Sequence, residues 1–85
     1  MSKETSDDIY KTKDLLEASC IYAVKQGNNF LGIEPEANYW LFIFSGKEEG
    51  EKIASAYWSN TLQVLAKDLL DANRTLKEKL YSQRK

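Results

Sequence analysis

The residues that usually do chemistry are scarce in this sequence of 85 residues, which has no histidine and a single cysteine. Cys20 has no imidazole anywhere in the chain to deprotonate it. That excludes His-dependent catalysis, an intramolecular disulfide and a Cys/His zinc site. Cys20 also falls on the apolar arc of a helix, where a thiol reads as a small buried hydrophobe rather than a nucleophile. Its neighbour Ser19 reads as a helix-packing residue.

The stretch Gly46-Lys47-Glu48-Glu49-Gly50-Glu51-Lys52 has the look of a phosphate loop. The spacing fails, because a Walker loop has four residues between its glycines and Lys-Ser/Thr after the second. Here three residues intervene, Glu51 follows, and the glutamates repel phosphate. Helix capping is the better reading. Carboxylates recur in pairs at Asp7-Asp8, Glu34 with Glu36, Glu48-Glu49-Glu51, and Asp68 with Asp71. None has the accompanying residue types that acid–base or metal chemistry requires. Asp68 and Asp71 share their helix with Lys67 and Arg74 and read as a solvated face. No catalytic residue, metal ligand or cofactor is expected, and the chain is read as not an enzyme.

Contact chemistry remains. Ten of the 85 residues are aromatic, and five of these, Phe30, Tyr39, Trp40, Phe42 and Phe44, crowd one hairpin. Sheets that stack bases interleave such aromatics with Lys and Arg, and residues 28–46 contain neither. Tyr39, Trp40, Phe42, Phe44, Tyr57 and Trp58 are therefore candidate protein contacts. The charge is unevenly spread. The balance is −4 over residues 1–58 and +3 over 59–85, for a net −1. Arg74, Lys77, Lys79, Arg84 and Lys85 are the candidate phosphate contacts of an alternative, nucleic-acid-binding reading. The same charges also complement the negative end of a helix dipole.

These residues need elements to carry them. Residues 1–8 are polar and without period and read as a disordered tail. Ile9 and Tyr10 open the ordered part as a short extended segment. A first helix is predicted over about 13–26. Thr12 or Asp14 can cap it, Asp14 with Glu17 resembles a capping box, and Gly27 ends the helix in the left-handed conformation. Leu15, Leu16, Ser19, Cys20 and Ala23 share its apolar arc, and Lys13, Asp14, Glu17 and Lys25 lie opposite. A β-hairpin follows, with strands over 30–34 and 39–44 and a turn at Pro35-Glu36-Ala37-Asn38. Its second strand is apolar on both faces, so both faces are expected to be covered. Ser45 with Glu48 is read as the capping box of a second helix, with Ile53, Ala54, Tyr57 and Trp58 on its apolar side and Ser59-Asn60 at its end. A last helix starts between Leu62 and Ala66 and ends near Ser82. Its stripe is Leu62, Leu65, Ala66, Leu69, Leu70, Leu76 and Leu80. Asn73 on that stripe either bonds a nearby group or sets the register of a partner helix. Leu41, Ile43, Leu69 and Leu76 are expected to be buried together.

The order α-β-β-α-α gives an α+β domain over 9–82, a small antiparallel hairpin against three helices, with a short third strand as an option. Residues 83–85 read as a frayed basic tail. The longest strongly apolar run, residues 39–44, is far short of the ~20 residues of a membrane span. With no apolar leader, a cytoplasmic protein with no membrane contact is expected.

Thr12-Lys13-Asp14-Leu15, Gly27, Leu31-Gly32-Ile33-Glu34 and Trp40-Leu41-Phe42-Ile43-Phe44 form one half of a pattern. Ala56-Tyr57-Trp58-Ser59-Asn60, Lys67-Asp68-Leu69-Leu70-Asp71-Ala72 and Leu80-Tyr81-Ser82 form the other. Over residues 9–82 the chain resembles a family of short bacterial and phage proteins catalogued only as a domain of unknown function. Leu65 departs from the pattern, which has Asn or Asp opening the last helix. The resemblance implies a phage or mobile-element setting and no activity, cofactor or site residue. The expectation is a self-associating, dimeric interaction module, an accessory or inhibitor of a larger protein or nucleoprotein machine.

Overall fold

The computed structural model describes residues 8–83. The tails expected at 1–8 and 83–85 lie outside it, apart from Asp8 and Gln83. The elements are β1 (Ile9–Thr12), α1 (Leu15–Lys25), β2 (Phe30–Pro35), β3 (Trp40–Ser45), α2 (Lys47–Trp58) and α3 (Ala66–Gln83). The class is α+β as expected, and the extended segment at Ile9 is a full third strand. The order is therefore β-α-β-β-α-α. The sheet runs β1-β3-β2 with both pairings antiparallel. β1 and β2 are thus parallel to each other with β3 between them, and α1 supplies the crossover that parallel strands require.

β3 is the central strand, hydrogen-bonded along both edges, and its two faces meet different surroundings. Phe42 and Phe44 face the helices and form the core with Ala18 and Ile21 of α1 and Leu76 of α3. Burying each large side chain contributes about 1.5–3 kcal/mol. Side chains alternate along a strand, so Leu41 and Ile43 point the other way. The expected cluster of Leu41, Ile43, Leu69 and Leu76 does not form: Leu76 is in the core, and Ile43 is buried on the far side of the sheet. No helix among the described residues covers that far side. Lys11 is paired with Ile43 on one flank, and Glu34 with Leu41 on the other. Their ion pair, 3.5 Å long, joins strands that are not neighbours, so it passes over β3. A charged strap takes the place of a second layer.

Of the two capping candidates, Asp14 is the N-cap of α1, and only half of the capping box closes. Asp14 Oδ1 accepts from the Glu17 N–H at 2.8 Å. The Asp14 N–H goes to Thr12 Oγ1 instead of to Glu17. At the other end Gln26, not Gly27, is the first left-handed residue (φ 54°), and Gly27 follows at φ 76°. The Gly27 N–H reaches back to the Tyr22 carbonyl, as in a Schellman end. A Cβ at Gly27 would also meet the far end of the Tyr22 ring at 2.7 Å, so that ring would have to shift. The capping box read at Ser45 and Glu48 does not form. Gly46 is the N-cap of α2, and the cap is supplied from 39 residues away: Asp8 Oδ1 accepts from the Lys47 N–H at 3.0 Å, and its carbonyl accepts from the Gly46 N–H.

α1 touches both other helices, which hardly touch each other. Residues 61–65 run from α2 on one side of α1 to α3 on the other. Leu62 and Leu65 thus precede α3 rather than sitting on its stripe. The buried stripe narrows to Ala72 and Leu76, with Leu69, Asn73 and Leu80 half-buried. Leu65 and Leu70 are exposed.

Candidate interaction surfaces

The most connected polar group is one the sequence places in solvent. Glu17 belongs to the polar arc of α1, but β1 and α2 pack on that side, and its carboxylate is buried. Oε2 accepts from the Tyr10 hydroxyl at 2.5 Å. Oε1 accepts from the Trp58 indole N–H at 2.6 Å. One side chain thereby ties β1, α1 and α2 together through two neutral donors. Burial and the adjacent Glu17 hold the Tyr10 phenol well above its ordinary range. Cys20 lies one turn along, buried. Burial raises its thiol, with Asp14 and Glu17 adding to the shift. Partial burial, then Asp14, Cys20 and Glu17, raise the Tyr57 phenol too. The signal was legible in part: Tyr10 and Trp58 are the donors an inward-turned glutamate needs.

Asn73 is satisfied inside the monomer. Its Nδ2 donates to Ser19 Oγ at 3.1 Å, and Ser19 donates on to the Leu15 carbonyl at 2.7 Å. The relay sets the register of α3 on α1, with Ser19 wholly buried.

The six aromatic candidates for protein contact separate into three pairs. Phe42 and Phe44 are core residues, 2% and 0% exposed, and cannot meet a partner. Trp40 and Tyr57 are half-buried. Only Tyr39 and Trp58 are exposed. Lys13 sits over the Tyr39 ring at 5.0 Å, and the Trp58 ring packs edge-on against Tyr57.

The basic candidates also disperse. Arg84 and Lys85 lie outside the described residues. Arg74 pairs with Asp71, which also binds Lys67. Lys79 stands over the Phe30 ring at 5.9 Å. At 100° per residue it projects about 140° from Arg74 and about 160° from Lys77 around α3. Arg74 and Lys77 thus share one side of the helix, and Lys79 the other.

Sequence reasoning named Trp58 as a candidate contact but missed four other exposed apolar side chains of the helical layer. Leu16 of α1, Trp58, Leu65, and Leu70 and Tyr81 of α3 are all more than half exposed. All belong to the helical layer or its connections. On α3, Leu70, Arg74, Lys77 and Tyr81 recur at four, three and four residues and share one face. That spacing was readable, but it merged with the stripe of Leu69, Leu76 and Leu80 alongside it. None of the described helices is long and apolar enough to cross a membrane. Compared with protein-family models, curated proteins and solved structures, the chain matches none.

Proposed function

We propose that this chain is a small non-enzymatic contact module that pairs with a second copy through the outer face of α3. The observation that carries this reading is the exposure of Leu70 and Tyr81 on that face, at 66% and 56%. The fold makes no use of these side chains. In an antiparallel pairing about the middle of α3, Leu70 lies against the second copy's Tyr81, an apolar contact repeated by symmetry. Such a dimer serves as an accessory or inhibitor of a larger protein or nucleoprotein machine, in the phage or mobile-element setting that the family resemblance implies.

The test is the mass in solution. Light scattering at high micromolar concentration is expected to give twice the 9.8 kDa chain mass. Leu70→Asp and Tyr81→Asp should return it to the monomer with the far-ultraviolet dichroism unchanged. A parent chain that is monomeric throughout, or variants that stay dimeric, would refute the reading.

A further inference from the structure

β2 is an edge strand, and its outer edge is guarded at one end only. Toward the turn, Pro35 has no N–H to donate and Glu34 is held in the strap over the sheet. The other end is open. The pairing to β3 slips between Phe30 and Gly32, leaving Leu31 as the extra residue of a bulge. Leu31 is 58% exposed. Gly32 has φ 148°, a conformation that side chains rarely adopt, and no heavy atom lies within 4 Å of where its Cβ would be. A glycine in a strand with open space beside it is a place where another backbone can come close.

Opposite this open stretch stands the last turn of α3. Residues 30–33 form one wall and Lys79, Ser82 and Gln83 the other, enclosing a groove of about 410 Å³. The volume is in the range of small-ligand sites. Among the described residues Lys79 is the only charged group lining it, and it has no ion-pair partner there. Ser82 and Gln83 offer further polar groups. The groove therefore combines an unpaired strand edge, an apolar side chain in Leu31 and one cation.

We propose that this groove binds an extended peptide segment of another protein, added as a fourth strand along residues 30–33, with a carboxylate of the peptide at Lys79. The strand edge supplies the main-chain hydrogen bonds and Lys79 sets the preference for an acidic residue. The site lies on the side of α3 away from Leu70 and Tyr81, so it does not rest on the proposed pairing of two copies. The two can fail separately.

The probes are fluorescein-labelled hexapeptides of alternating Val and Thr that end in Asp, Asn or Lys, followed by fluorescence polarisation with the full chain. The Asp peptide is expected to bind saturably and about 3-fold more tightly than the Asn peptide, the scale of an exposed charge pair. Lys79→Glu, on an exposed helix face where folding is undisturbed, should reverse the order so that the Lys peptide is preferred. An Asp peptide methylated on alternate amide nitrogens should lose at least about tenfold in affinity, since it forfeits two or more main-chain bonds. Amide exchange at residues 31–33 should slow when the peptide is added. Absence of saturable binding at millimolar peptide, or equal binding of the methylated peptide, would overturn the proposal. So would amide protection at 31–33 that grows with protein concentration in the absence of peptide, because a second copy would then occupy the edge.

Discussion

Gly50→Ala tests the packing of α2 on the sheet, because two well-known effects oppose each other there. In a helix interior alanine is favoured over glycine by about 1 kcal/mol. Gly50 is in the first half of α2 and is buried. A Cβ at this position would lie 2.7 Å from both Cβ and Cγ of Tyr10 and 3.1 Å from its Cδ2. Carbon atoms normally rest about 3.5–4.0 Å apart, so α2 and β1 must separate by about 1 Å. Tyr10 cannot swing aside cheaply. The clashing atoms are at the root of its side chain, its backbone is paired with Phe44, and its hydroxyl is bound to Glu17. Overpacking of this kind costs about 1–3 kcal/mol. With no flexible tip to absorb it, the upper part of that range applies, for a net loss of about 1–2 kcal/mol. In a domain of this size each 1 kcal/mol moves the melting temperature by about 4–8 °C. A thermal melt followed by circular dichroism should therefore fall by about 5–15 °C. Ser55→Ala, at an exposed position of the same helix, should melt at or slightly above the parent. A Gly50→Ala chain that melts as high as the parent would mean that α2 does not approach Tyr10 this closely.

Two more outcomes concern the corner around Glu17. Glu17→Leu takes the acceptor from the part-buried Tyr10 hydroxyl and Trp58 N–H and should cost about 1–3 kcal/mol in urea unfolding, whereas Glu17→Gln keeps one acceptor and should cost about 1 kcal/mol; a leucine variant as stable as the parent would show the network adds nothing. Cys20 should react with a disulfide reagent at least ~100-fold more slowly in the native chain than in denaturant, since reaction waits on rare opening. Its folded-state pKa is raised above the ordinary value near 9.0, chiefly by burial. The associated stability is therefore complete below that value and falls as the pH climbs past it. Cys20→Ala should flatten that alkaline decline, and a decline of the same steepness in the variant would contradict the burial of the thiol.

The local signals in the sequence placed most element boundaries within two residues. Asp14 at the start of α1, the positive-φ turn around Gly27, and Ser59-Asn60 at the end of α2 all act through neighbours three to five residues away. Short-range chemistry of that kind is written in the sequence directly. The run at residues 40–44 also announced a strand covered on both faces, and the burial of Phe42 and Phe44 on one side and of Ile43 on the other agrees with it. The cover on one face is a Lys11–Glu34 strap, which no periodicity predicts, because those residues are 23 apart and meet only across β3.

The tertiary structure decided what depends on which faces meet. Glu17 sits among polar residues on a helical wheel, yet β1 and α2 close over it and turn it into a buried acceptor. Phe42 and Phe44 were indistinguishable in type from exposed contact aromatics until the helices were laid on that face of the sheet. Asp8 caps a helix 39 residues away, a bond that exists only because β1 pairs with the end of β3 and brings the two chain positions together. Residue type and spacing determine the local hydrogen bonds and the apolar periods. The choice among several apolar faces is a matter of packing between distant segments, and only the assembled fold makes it.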